Sequence, residues 1–430
     1  MKSRDRLEAA LARINDPAGE GSRAFTVLFT DTARMAADAA DARAKAGLAL
    51  GPLDGSLISI KDLFDWPGLP TCGGSKILRD AAPATAMAPA IARLHAAGAV
   101  ILGKTNMSEF AFSGVGTNPH YGTPGNPADR QRIPGGSSSG AAVSVAAGMA
   151  EIGIGTDTGG STRIPAALCG LVGFKPSQYR ISRDGALPLS YTLDSIGPLA
   201  PDVAACALAD AVMAGDEIAL PQTLPLAGLR LGIALGPLLD GMEPAVAGAF
   251  DAACAALQKA GARIMDHSIA EHLAALAEAN ATGGFTAPEA YQIHRAYYES
   301  RATDFDPLVH ARISRGKSMS AADYIALTRR RPELVRRMAA HLAGLDALIL
   351  PTTPIQAPEI AEMADANAFN KANLALLRNN APFNVFDMCA ISLPLKTANG
   401  LPAGLMLAAR NGQDKALFGM ALSVEKALAG

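Results

Sequence analysis

The sequence predicts an α/β fold, because strand-length and helix-length segments alternate along its first half. Residues 57–60, 100–102 and 152–154 are short apolar runs, while 88–97 and 141–150 are alanine-rich stretches of helix length. Composition agrees: 49% of the 430 residues are apolar and 18% charged, as in an enzyme with a large buried core. Length alone suggests two or three domains.

Taken in order, residues 5–14 and 31–47 read as alanine-rich helices, with Asp31 or Thr32 placed to cap the second. Strand 57–60 leads into Lys61, helix 88–97 follows, and 100–102 is the next strand. Residues 118–132, rich in proline, glycine and asparagine, form a loop. Helix 141–150 precedes strand 152–154. Further on, 203–213 and 244–260 read as helices and 229–233 and 263–265 as strands. Residues 284–345 look almost wholly helical and carry Arg329, Arg330, Arg331, Arg336 and Arg337, expected on a solvated helix face. Strands 347–350 and 405–408 and a helix over 415–428 close the chain. No internal repeat or low-complexity tract interrupts it.

A net charge of −2, from 38 basic and 40 acidic residues, gives no reason to expect nucleic acid or a membrane surface as partner. The first residues lack an apolar core of signal-peptide length, and no run approaches the ~18 to 20 apolar residues a bilayer requires. The five cysteines are scattered, without paired zinc spacing or a disulfide framework, and the seven histidines show no metal-binding motif. The expectation is a cytoplasmic protein needing neither metal nor cofactor.

Chemistry concentrates in two glycine loops that carry serines. The first is Pro134-Gly135-Gly136-Ser137-Ser138-Ser139-Gly140, and the second runs from Gly155 through Asp157, Thr158, Gly159, Gly160, Ser161 and Arg163 to Pro165. Glycines let backbone N–H groups turn towards a small anion. A serine on such a loop suggests a nucleophile beside an oxyanion site. No histidine lies near either loop in sequence, so Lys61 is the candidate base. A free lysine, with a pKa of ~10.4, holds its proton at neutral pH, but burial lowers that value. The apolar neighbours Leu57, Ile58, Ile60, Leu63 and Phe64 are consistent with burial. Residue chemistry cannot choose among Ser137, Ser138 and Ser139, which carry the same hydroxyl. Asp157 is expected to hold the glycine loop by accepting hydrogen bonds, and Arg163 to pair with an acid or order the site.

Other readings fail on detail. Gly136 to Gly140 matches the G-x-S-x-G elbow, but loop rather than strand precedes it. Gly155 to Thr162 nearly forms a P-loop, yet Ser161 stands where its lysine belongs. A tight turn before Pro165 and a lysine snorkelling to the surface are the plain structural alternatives.

With Ile60-Lys61-Asp62, both serine loops, Gly170 to Ser177, Ala390 to Pro394 and Gly400 to Leu405, the chain resembles the amidase signature family. These are serine hydrolases of amide bonds with a Ser–cisSer–Lys triad. The resemblance implies one large α/β domain over 1–430, built on a central mixed sheet. Its signature core spans about 50–200, and a variable, substrate-determining segment about 200–345. It makes Ser161 the nucleophile, Ser137 the bridging serine entered by a cis peptide bond, and Lys61 the base. The N–H groups of Thr158, Gly159, Gly160 and Ser161 then form the oxyanion hole. It implies a small amide, ureide or carbamoyl substrate, no cofactor, and either a homo-oligomer or a small accessory subunit. The segment Phe383 to Ala390 is similar to members acting on carboxylated ureas. Two further readings are an amidase subunit of a glutamine-dependent tRNA amidotransferase, and an idle binding module of the same fold.

Overall fold

One mixed sheet of eleven strands runs through the whole chain in a computed structural model that describes residues 1–429. Gly430, the last residue of the expected domain, lies outside the described residues. The strands are β1 (Phe25–Leu28), β2 (Leu57–Lys61), β3 (Val100–Thr105), β4 (Ile152–Asp157), β5 (Val172–Lys175), β6 (Ser195–Ala200), β7 (Arg230–Leu235), β8 (Arg263–Ser268), β9 (Ala347–Pro351), β10 (Cys389–Leu395) and β11 (Ala403–Ala409). Their spatial order is β1-β3-β2-β4-β6-β5-β10-β11-β9-β7-β8. Length does not divide this protein, because β10 pairs with β5 and so joins the late strands to the early ones.

Two parallel neighbours flank β2: β3 on one side and β4 on the other. Crossover helices Pro89–Ala96 and Ser139–Ala146 connect them, the arrangement parallel pairing requires. Every residue of β2, β3 and β4 is buried, which explains their near-continuous apolar character. Lys61 ends β2 and Asp157 ends the adjacent parallel β4, so both stand at the same edge of the sheet. In open α/β sheets the carboxyl ends of strands are where ligands bind.

Several boundaries differ from the sequence reading. The second expected helix begins at Thr30, with no side-chain cap. Asp31 sits inside its first turn, facing the positive end of the helix dipole, and Thr32 Oγ1 donates to Phe29 O at 3.0 Å. The 284–345 region breaks into Thr286–Tyr298, Pro307–Ser314 and Ala321–His341. Proline cannot continue a preceding helix but suits a first turn, so Pro307 opens the middle one. Arg329, Arg336 and Arg337 are exposed as expected, whereas Arg331 is half-buried. It donates from Nε to Val385 O (3.0 Å) and from Nη2 to Gln178 Oε1 (2.9 Å). Among the described residues, no helix is long and apolar enough to cross a membrane.

Candidate active site

Lys61 is fully buried at the end of β2. Its Nζ donates to Ser137 Oγ at 2.7 Å and to Thr156 Oγ1 at 3.0 Å. Burial drives its pKa down to about 7, against the opposing pull of Asp194 and Asp157. Two other lysines are as deeply buried, but their ammonium groups end elsewhere. Lys104 reaches Pro70 O and Asp62, and Lys175 reaches Pro176 O. Lys61 alone of the three meets serine.

The backbone separates three chemically identical serines. A cis peptide bond links Gly136 to Ser137, as the resemblance implies. Ser138 sends its Oγ to Thr156 O (3.5 Å) and its N–H to Ser161 O (3.3 Å), tying the two glycine loops together. Ser139 opens the helix Ser139–Ala146. Only Ser137 presents its hydroxyl to Lys61. A side chain at Gly155 is excluded by this packing, since its Cβ would stand 2.4 Å from Ser138 Oγ.

Ser161 stands just before the short helix Arg163–Cys169 and is 4% exposed, at the wall of a cavity of about 220 Å³. Pro165 falls within that helix's first turn, where an N–H has no intrahelical acceptor to lose. Asp157 holds the loop as expected. Its Oδ1 accepts from Gly160 N (2.8 Å), and its Oδ2 accepts from Thr162 N (3.2 Å) and Thr162 Oγ1 (3.0 Å). Arg163 is the acid's partner. Burial disfavours the Asp157 carboxylate, but the Arg163 guanidinium and the Asn384 amide outweigh it and hold the pKa well below the usual range.

Gly160 departs from its expected part. Its single N–H proton is engaged by Asp157, so it is not free for an oxyanion. The N–H groups of Thr158, Gly159 and Ser161 meet no acceptor among the described residues, which leaves three donors at the loop.

Sequence reasoning missed the parts played by Thr156, Asp194 and Asn384. Thr156 lies in the quoted second loop, and its place near the end of a strand was the available signal. Asp194 is buried just before β6 and accepts from Thr158 Oγ1 (2.5 Å) and from the N–H groups of Leu189 and Ser190. Burial raises its pKa to about 6, against those donors. Asn384 bridges Arg163 Nη2 (2.7 Å) and Asp157 Oδ1 (2.9 Å) from far along the chain. Among the described residues, no group of three or more His, Cys, Asp or Glu is arranged to hold a metal ion.

The cavity wall is mostly apolar, with Phe112, Leu189, Leu193, Phe285, Leu377 and Val385, interrupted by Ser113, Asn280, Thr286 and Arg312. A buried serine on a loop with unengaged N–H donors, and a depressed lysine hydrogen-bonded to Ser137 of the neighbouring loop, are an arrangement suited to acyl transfer.

Residues 5–418 match the sequence model of the family described as Amidase. A 2-amino-5-chloromuconic acid deaminase from Comamonas testosteroni is 36% identical over 404 residues, covering 91% of this chain and 86% of that protein. One of the subunits of the glutamyl-tRNA(Gln) amidotransferase from Chloroflexus aurantiacus is 38% identical over 439 residues, covering 94% and 88%. Among solved structures, a crystallised amidase superposes with a TM-score of 0.87 at 32% identity, over 100% of this chain and 96% of that one.

Proposed function

Because this chain belongs to the amidase family, whose members hydrolyse carbon–nitrogen bonds, we propose that it cleaves a small amide, ureide or carbamoyl compound through a serine acyl-enzyme. In this reading neutral Lys61 accepts the Ser137 proton, Ser137 takes the proton of Ser161, and the freed oxygen adds to the substrate carbonyl carbon. The carbonyl oxygen becomes an anion beside the N–H groups of Thr158, Gly159 and Ser161, each such donor being worth ~2.7 to 4 kcal/mol. Collapse of the adduct breaks the C–N bond, and the leaving nitrogen recovers a proton from Lys61 through Ser137. Water then enters by the same relay and releases the acid.

The observation that carries this reading is the contact between Lys61 Nζ and Ser137 Oγ in a fully buried setting. The relay needs an unprotonated amine near neutrality, and a pKa of about 7 supplies one. Asp157 and Arg163 serve as support, holding the loop that carries the donors. We assign substrate choice to residues 200–345, which place Asn280, Phe285 and Arg312 in the cavity wall. Ammonia release from a panel of primary amides, anilides and ureides tests the activity. Ser161→Ala should abolish it while leaving the fold intact, and substantial residual turnover would place the nucleophile elsewhere.

A second reading, as part of a tRNA amidotransferase, is favoured by the 38% identity to the Chloroflexus aurantiacus protein. Glutamine hydrolysis that appears only with a copurifying second protein would establish it in place of the first.

A further inference from the structure

Arg312 is the one formally charged side chain in the wall of the cavity that Ser161 faces, among the described residues. It makes no hydrogen bond or ion pair among those residues, and its Nε is buried without a partner. Its guanidinium carbon lies 4.8 Å over the Phe112 ring, which fills one face of the group but satisfies none of its N–H donors. No described Asp or Glu lines the cavity. The other arginine of the site, Arg163, spends its donors on Asp157 and Asn384. Arg312 is half-buried, its Nε has no acceptor, and a planar fork of donors matches a carboxylate.

The placement is built. Arg312 lies in the last turn of the helix Pro307–Ser314, whose cap Asp306 accepts from Leu308 N at 2.9 Å. The Asp306 N–H donates to Glu109 Oε2 at 2.7 Å, which pins that helix to the segment carrying Ala111 and Phe112 in the same wall. Asn280 Oδ1, also buried and without a donor, shares the cavity.

We infer that the substrate carries a carboxylate, that Arg312 receives it, and that the natural substrate class is a short carboxylated amide. This rests on the amide hydrolysis proposed above. The carboxylate pairs with the guanidinium while the scissile carbonyl lies at Ser161, and Asn280 Oδ1 is left to accept an N–H of the substrate. A cavity of about 220 Å³ suits a small molecule of this class. Arg312 sets specificity and takes no part in bond making.

The test compares oxamate, malonamate, succinamate and glutaramate with the corresponding uncharged diamides. Wild type should prefer at least one monoamide over its diamide by ~100-fold in kcat/KM, the scale set by a hydrogen bond to a charged group. Arg312→Met should erase that preference mainly through a raised KM for the monoamide, with Arg312→Lys intermediate. An equal fall for both classes in Arg312→Met and Arg312→Lys, or a wild-type preference for diamides, overturns the inference while amide hydrolysis stands. Calorimetry with malonate and succinate provides a readout free of turnover. Binding that is present in Ser161→Ala and absent in Ser161→Ala/Arg312→Met upholds the carboxylate site even if none of these amides is cleaved. No binding by either ligand, together with no monoamide preference, refutes it.

Discussion

Arg163 forks onto Asp157, with Nε 3.0 Å from Oδ2 and Nη2 2.9 Å from Oδ1, and neither side chain is exposed to solvent. The same carboxylate receives the Gly160 and Thr162 N–H groups, so this pair sets the shape of the loop that carries Ser161. Breaking a buried pair strands one charge without its partner. Arg163→Met should therefore destabilise the protein by ~3 to 5 kcal/mol, read as a lower urea midpoint. The Asp157 pKa is depressed in the fold, so its contribution is complete above the unfolded value of ~3.9 and is lost as pH falls below it. Asp157→Asn should flatten that acid limb of stability. An unchanged limb would assign acid sensitivity to other carboxylates.

The activity should rise with pH through about 7, where Lys61 loses its proton. Asp194 acts on Lys61 by charge and favours the ammonium, so Asp194→Asn should move the limb to lower pH. Lys61→Ala should remove most activity and the limb together, and Lys61→Arg should not restore them, because guanidinium stays protonated. Each of the seven histidines can be replaced in turn as a control, and the limb should persist. A histidine variant that lost it would displace Lys61 from its assigned part.

Burial of Lys61 also has a cost to stability. Its folded pKa lies below the unfolded value of ~10.4, so the unfolded chain binds the proton more tightly between the two. The penalty is full below pH 7 and fades as pH rises towards 10. Lys61→Met should stabilise the fold by a few kcal/mol at pH 6 and by much less at pH 10, in denaturant titrations at both values. Equal gains at the two pH values would mean the lysine is neutral throughout.

Gly160 has φ of +126°, and a Cβ there would lie 2.6 Å from Asn380 Cβ and 2.7 Å from Ile164 Cδ1. Gly160→Ala should cost ~1 to 3 kcal/mol of stability through overpacking. Displacing the neighbouring N–H groups by ~1 Å should lower kcat by ~100-fold with little change in KM. A normal kcat in a folded Gly160→Ala protein would show that the loop tolerates the shift.

Thr156→Val keeps the shape of the side chain but removes one of the two hydroxyls that hold Lys61 Nζ. Losing one such hydrogen bond should lower kcat by ~5- to 10-fold while leaving KM unchanged. A changed KM instead would place Thr156 against the substrate.

By itself, the sequence determined the alternation of strand and helix, the burial of Lys61 at a strand end, and the two loops that carry Ser137 and Ser161. Those features are local: apolar runs choose buried strands, and glycine and serine side chains define what a loop can do. Residue chemistry leaves Ser137, Ser138 and Ser139 equivalent and only the resemblance singles out Ser137; packing is what points its hydroxyl at Lys61. It also decided that the Gly160 N–H belongs to Asp157, because that depends on where a neighbouring carboxylate points. Arg331 reads from its run as a solvated charge, yet folding brings it onto the carbonyl of Val385. Arg312 belongs to the same helical stretch, and its unpaired place in the cavity that Ser161 also lines appears only when segments far apart in the chain pack together. Direction and long-range proximity arise from packing, and no single stretch of chain encodes them.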